Sequence, residues 1–286
     1  MSDTPGKSRF DVRSITQSIA VIIPAYNEAA RLSQSLCAVI RYLNQYQGSE
    51  LIVVDDGSTD GTADVARRLL RASGCVSGLV IRYDENRGKG FALKTGLLAS
   101  RAPVALFTDA DLSTPITELP RLADPIVQDQ YDITFGSRAL DRSLTHVRQP
   151  WLRETGGRVF NLLTRAVTGL PFWDTQCGFK AFRMDVFRPL LRAATIDRFA
   201  FDVEWLYVAH RAGLRLREVP VRWDHREGSK VSMRRDSLRM IQEVHQIRRR
   251  ADAGAYDVAI DEIRDVTGHS AQGWTVRALD PRTEIA

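Results

Sequence analysis

The sequence predicts an α/β protein built on a mostly parallel central sheet flanked by helices. Over roughly the first 138 residues, short apolar runs alternate with stretches of helical periodicity, the pattern of repeated βα units with right-handed crossovers. Three of those runs, Ile19 to Ile23, Leu51 to Val54 and Val104 to Phe107, are continuous rather than alternating, as strands buried on both faces are. Each ends in a polar cluster: Pro24 to Glu28, Asp55 to Gly61 and Asp109-Ala110-Asp111. Ligands of open parallel sheets bind at the carboxyl ends of the strands, so these three clusters are expected to converge on one site.

Residues 1 to 16 are polar and read as a flexible N-terminus. The first strand stops at Pro24, and an amphipathic helix is expected from Ala29 to Tyr46. Strand Leu51 to Val54 delivers Asp55-Asp56-Gly57-Ser58-Thr59-Asp60-Gly61-Thr62 to the start of a helix over Ala63 to Ala72. A third strand, Leu79 to Tyr83, leads into Asn86-Arg87-Gly88-Lys89-Gly90 and a helix through Leu98. Its glycines permit close backbone approach, and the helix N-terminus with Arg87 and Lys89 offers donors to an anion. After the Val104 strand come a helix over Ile116 to Gln128 and a strand over Tyr131 to Phe135 that ends in Gly136-Ser137-Arg138.

Beyond Arg138 the rhythm changes. Arg153 to Thr168 forms a helix with apolar residues beside Arg153, Arg158 and Arg165, a pattern that serves core packing or contact with a membrane surface. A strand is expected through Phe182, a short helix from Met184, a helix from Phe201 to Arg211, a strand over Leu216 to Val221 and a basic helix over Arg234 to Arg250. The segment from residue 251 to 286 mixes polar and apolar residues without an assignable role.

At 286 residues, with 44% hydrophobic and 26% charged residues, the chain suffices for one large α/β domain. The net charge of +5 is unevenly spread: Arg211 to Arg250 holds twelve Lys or Arg against five Asp or Glu. Such a face suits a phosphate-bearing ligand or an anionic membrane. Aromatic residues are sparse within it, which argues against nucleic acid. Three cysteines without metal-ligand spacing suit a reducing compartment. No stretch reaches the length of a membrane span and the start has no signal-peptide core, so a cytoplasmic protein, peripheral at most to the membrane face, is expected.

Asp109 and Asp111, at i and i+2 on an extended strand end, can present two carboxylates on one side. Mg²⁺ and Mn²⁺ take oxygen ligands and keep positions open for water or a substrate phosphate, so such a pair suits one divalent cation beside a diphosphate. Acidic residues also cap turns, and Asp-x-Asp alone leaves both readings open.

Together the segments VIIPAYNEAARL, LIVVDDGSTDGT, NRGKGFALKTGLL and TDADLS resemble, in this order, the nucleotide-sugar half of family 2 glycosyltransferases of the GT-A fold. GSRAL, DTQCGFKAF, FAFDVEWLYVA and REGSKV resemble the polyprenyl-phosphate glycosyl synthases, and DTQCGFK with FDVE is similar to the dolichyl-phosphate β-glucosyltransferase type. The resemblance implies a GT-A domain over residues 17 to 250, with a nucleotide-sugar half to 138 and an acceptor half from 139. It implies a metal-dependent, inverting transfer of a hexose, glucose from UDP-glucose before others, to a polyprenyl or dolichyl phosphate, with a saccharide or lipid hydroxyl as the alternative acceptor. By position, Pro24, Tyr26, Glu28 and Asp56 would bind the nucleotide, while Asp109 and Asp111 would serve the metal and diphosphate. Arg138 and Arg158 would hold the acceptor phosphate, and Lys230 would reach the donor diphosphate. A lipid phosphate oxygen is already anionic and needs no base; a hydroxyl acceptor would need one, for which Asp174, Asp202 and Glu204 are the candidates, residues that can equally orient the loops.

Overall fold

A computed structural model of the chain describes residues 18–74, 77–145, 147, 151–226 and 233–268; of residues 151–154 and 233–238 it describes the backbone. The expected flexible segment 1–16, the loop containing Lys230 and the end of the chain from 269 lie outside these residues.

Seven strands form one sheet: β1 (Ile19–Ala25), β2 (Glu50–Asp55), β3 (Ser77–Arg82), β4 (Val104–Thr108), β5 (Ile133–Ser137), β6 (Phe179–Arg183) and β7 (Leu216–Pro220). Their order is β3-β2-β1-β4-β6-β5-β7. All neighbours are parallel except β6, which runs antiparallel to both β4 and β5. The mostly parallel sheet read from the sequence is therefore what forms. Between and after the strands lie α1 (Ala29–Leu43), α2 (Thr62–Ser73), α3 (Lys89–Ala99), α4 (Leu119–Val127), α5 (Trp151–Thr168), α6 (Met184–Ala193), α7 (Phe201–Ala212), α8 (Met233–Asp252) and α9 (Asp257–Thr267).

Alternation along the strands separates two cores. Val21, Ile23, Leu51, Val53 and Leu106 pack with Leu32, Leu36 and Val39 of α1, Ala66 of α2 and Leu122 of α4. Ile22, Val54, Phe107 and Phe182 face the other way, onto Leu93 of α3, Phe187 of α6, Trp205 of α7, Ile247 of α8 and Ile263 of α9. This second core is aromatic: Trp205 meets Phe107, Phe182, Phe187 and Phe201 edge-on at centroid distances of 4.8 to 6.4 Å.

Boundaries shift where local chemistry overrides periodicity. α1 ends at Leu43, short of Tyr46, and Ile116–Glu118 forms a 3-10 turn before α4. The segment from Asp174 stays irregular until Phe179 because its polar groups are consumed by the site described below. The stretch after residue 250, without a role in the sequence reading, continues the fold. Tyr256 is 1% exposed, and Ile260 and Ile263 of α9 belong to the aromatic core.

At the edge remote from the three polar clusters, the fully buried Asp132 holds two arginines. Its carboxylate lies 2.9 Å from both Arg183 Nη1 and Arg215 Nη2, and it accepts the Arg215 backbone N–H at 2.8 Å. Removing one partner of a buried charge cluster leaves the others uncompensated. Asp132→Ala is therefore expected to cost about 3 kcal/mol in urea unfolding. Activity per folded molecule should be unchanged, because this clasp lies at the opposite end of the sheet.

Candidate active site

The carboxyl ends of β1, β2 and β4 bring the three polar clusters together, as parallel pairing requires. The first two are laced to each other. Asn27, at φ +52°, donates its N–H to Ser58 Oγ at 2.8 Å and accepts from Thr59 N at 2.9 Å. The N–H groups of Glu28 and Ala29 go to Thr62 Oγ1 and Asp60 Oδ2. β1 runs through Pro24, opposite Val54, to end at Ala25; Tyr26 stands 39% exposed, and Glu28 is held by the Arg31 guanidinium one helical turn on.

Asp56 is 3% exposed and accepts from Asn86 Nδ2, Arg87 N and Gly88 N at 2.8 to 2.9 Å. A carboxylate has about four acceptor positions, so one is left for a ligand donor. Its visible work is to fix the turn that starts α3. Gly88 sits in that turn at φ +114°, where a Cβ would lie 2.4 Å from the carbonyl oxygen of Asp197. The next residue, Lys89, reaches Asp109 Oδ1 at 2.5 Å. Burial pulls the Lys89 ammonium down, but Asp109, Asp202 and Asp111 outweigh it and hold the group charged above its ordinary range.

Asp109 is also pressed against the first residues of β6. Because β6 runs antiparallel, with Thr108 opposite Phe179, its start lies at the same edge as the end of β4. A Cβ on Gly178 would come within 2.1 Å of Asp109 Oδ2. Asp111 turns back to accept Ser113 N at 2.9 Å, with Leu112 between them at φ +49°. The Asp109 side chain is 36% exposed. Among the described residues no group of three or more His, Cys, Asp or Glu is gathered. Two accessible carboxylates with the remaining positions left to a diphosphate and water are the donor set that Mg²⁺ or Mn²⁺ accepts, so the residues fit such an ion. Arg31 also lies in the field of Asp109 and Asp111, which with Glu28 raises its pKa.

Arg138 follows β5 and is clamped by Asp174. Its backbone N and Nε donate to Oδ2 at 3.0 and 2.7 Å, and Nη2 donates to Oδ1 at 2.8 Å. The guanidinium remains 30% exposed, faces the Trp223 ring at 5.6 Å and has N–H donors beyond those two. Glu218 of β7 supports the clamp from below, accepting from Ser137 Oγ and from the N–H groups of Trp173 and Asp174. Burial alone would raise the Asp174 carboxyl; Arg138 outweighs it and holds it below the usual carboxylate range.

The three candidate bases separate by their partners. Asp174 is a buried, low-pKa ion-pair partner and a poor proton acceptor. Glu204 is fully buried, and its carboxylate is taken by Thr195 N, Thr195 Oγ1, Ile196 N and Tyr256 OH at 2.7 to 3.0 Å. Asp202 alone keeps base character: burial pushes it up to about 6, against the nearby charges of Lys180 and Lys89. Lys180, 1% exposed, donates to the Cys177 carbonyl at 2.6 Å and lies 3.7 Å from Asp202 Oδ2; burial pushes it down. Arg158 is an exposed residue of α5, and Lys230 lies outside the described residues. Sequence reasoning did not single out Arg31, Lys180 or Gly178, although each stands inside a segment it quoted; Glu218 stands in none.

The chain resembles known proteins in sequence and in fold. The sequence model of Glycosyl transferase family 2 matches residues 20–191. Dolichyl-phosphate beta-glucosyltransferase of Dictyostelium discoideum is 33% identical over 251 residues, covering 84% of this chain and 76% of that protein. The protein of the same name from Drosophila melanogaster is 34% identical (84% and 77% covered), and that from Homo sapiens 32% (85% and 78%). Among solved structures, glucosyl-3-phosphoglycerate synthase from Mycobacterium tuberculosis, in complex with Mn²⁺, uridine diphosphate and phosphoglyceric acid, superposes with a TM-score of 0.58. It covers 81% of this chain and 77% of that one at 21% identity, a likeness of fold. With the family match spanning most of the sheet and relatives above 30% identity over most of both chains, the chain belongs to glycosyl transferase family 2.

Proposed function

We propose that the protein transfers glucose, with inversion, from UDP-glucose to a polyprenyl phosphate of the dolichyl type. The observation that carries the acceptor class is Arg138: a guanidinium pre-set by Asp174, in the field of Asp109, where a hydroxyl acceptor would want a base instead. The names of the relatives support the same sugar and acceptor.

In this reading the nucleotide lies over Pro24, Tyr26 and Glu28, with the last acceptor position of Asp56 turned to its base. The diphosphate meets Lys89 at the start of α3; Lys230, outside the described residues, is assigned to it by the family resemblance alone. Mg²⁺ or Mn²⁺ held by Asp109 and Asp111 would neutralise charge on the departing diphosphate. Arg138, with Arg158 further along the acceptor half, grips the lipid phosphate. Its planar fork matches two phosphate oxygens and fixes the third for in-line attack on the anomeric carbon. The new bond forms between that oxygen and the anomeric carbon as the bond to the diphosphate breaks. No proton has to move. The main obstacle, approach of one anion to another, is met by Arg138, Lys89 and Arg31 in fixed positions.

A lipid acceptor also needs somewhere for its chain. Beyond Arg138 in the chain, apolar side chains stand exposed: Leu140, Val147, Val159, Leu162, Leu163 and Trp173, with Arg165 stacked over the Trp173 ring at 3.9 Å. An apolar surface edged by arginines suits peripheral contact with an anionic bilayer. Among the described residues no helix is long and apolar enough to cross a membrane.

The direct test is to incubate the protein with a divalent cation, labelled UDP-glucose and polyprenyl phosphate and to follow label into organic solvent. Extraction that needs both metal and lipid phosphate is the expected result, and Asp109→Ala should abolish it. Arg138→Ala is expected to lower kcat/KM for the lipid about a hundredfold. Arg138→Lys, which keeps the charge but not the fork, should cost about tenfold. Asp202→Asn should cost less than about tenfold, since a phosphate acceptor brings its own charge; if Asp202→Asn proves the more damaging change, the acceptor is a hydroxyl. For the membrane face, Leu162→Ser with Trp173→Ser should cut co-flotation with anionic vesicles several-fold while UDP binding is unchanged.

A further inference from the structure

The C-terminal segment reaches the donor site through a chain of buried contacts. Tyr256, just before α9, donates its hydroxyl to Glu204 Oε1 at 2.7 Å. The Glu204 carboxylate in turn gathers the backbone N–H groups of Thr195 and Ile196 and the hydroxyl of Thr195. This fixes the loop between α6 and α7, and that loop is what the start of α3 rests on. The Asp197 carbonyl accepts Phe91 N at 3.0 Å, and the Ala194 carbonyl accepts Lys94 Nζ at 2.7 Å. The fit is tight: a Cβ on Gly88 would lie 2.4 Å from Asp197 O, and one on Gly90 2.7 Å from Ile196 O. Between those two glycines stands Lys89, with its ammonium on Asp109. A buried carboxylate that accepts from four donors of its own chain is a device for holding backbone in place.

We propose that Glu204 and Tyr256 are positioning residues for Lys89, so that the segment after residue 250 sets the affinity of the site for the donor diphosphate. The inference rests on the reading that Lys89 meets that diphosphate. Asp56 fixes the turn from one side through the N–H groups of residues 87 and 88; the Glu204 loop fixes it from the other. Loosening the second support leaves Lys89 attached to the chain but free to move, which weakens its grip on phosphate without removing its charge.

The test is a double-mutant cycle on the full chain, reading UDP affinity by titration calorimetry in excess Mn²⁺, with circular dichroism to confirm folding. Tyr256→Phe, which keeps the ring and deletes the hydroxyl, is expected to weaken UDP about fivefold. Lys89→Met should weaken it at least about tenfold. The double variant should bind no worse than Lys89→Met alone, because both changes act through one ammonium. A purely structural role for Tyr256 would lower the thermal midpoint and leave UDP affinity unmoved. Should Tyr256→Phe fail to fold, Thr195→Val, which removes one donor to Glu204 and no buried ring, takes its place in the cycle. The inference is overturned if the tyrosine or threonine change has no effect on UDP, or has its full effect in the Lys89→Met background. If Lys89→Met itself binds UDP like the wild type, the reading of the donor site falls, and the inference falls with it.

Discussion

The Asp109 carboxylate packs onto the backbone at Gly178, and much of the remaining architecture depends on that contact. No side chain fits at 178, because its first carbon would overlap a carboxylate oxygen. That contact exists only because β6 runs against its neighbours and so begins, rather than ends, where β4 ends. An all-parallel sheet would carry the 174–178 segment to the opposite edge. One reversed strand thus joins the clamp of Asp174 on Arg138 to the Asp109 carboxylate.

Around this contact, charge is arranged in alternation rather than in blocks. Lys89, Arg31 and Arg138 surround Asp109 and Asp111, with Asp174 and Glu28 behind the arginines and the buried pair Lys180 and Asp202 below. Burial drives Lys180 and Asp202 toward their neutral forms. Lys89 and Arg138 go the other way and are held as cations by their carboxylates. The site therefore holds its cations through fixed partners, a preorganised arrangement for anionic ligands.

Much of this was legible in the sequence. Continuous apolar runs stopped by Pro24, Asp55 and Asp109 announced the parallel half, because a strand buried on both faces can read no other way. The converging loops followed from strand polarity alone. What composition could not tell was the use to which each carboxylate is put. Asp174 and Glu204 look like Asp202 in the sequence, and only their partners, a guanidinium in one case and backbone N–H groups with a tyrosine in the other, separate a clamp from a base. Glu218 was invisible for the same reason: a lone acid in a short strand shows nothing of the two N–H groups and the hydroxyl it collects from elsewhere. The helix after residue 250 was missed because its apolar positions, Val258, Ile260, Ile263 and Val266, are split between a buried face and an open one.

That last helix bears on the order in which the molecule can be completed during synthesis. When the ribosome has added residue 250, every strand of the sheet has been made, yet the outer faces of α6 and α7 are still bare and Glu204 has no phenol to meet. A growing chain at that point carries a nearly finished sheet with an uncovered aromatic core. The residues that arrive next, Tyr256, Ile260 and Ile263, shut that core from water, and so a support of the loop beneath Lys89 is laid down well after the turn that carries Lys89 itself.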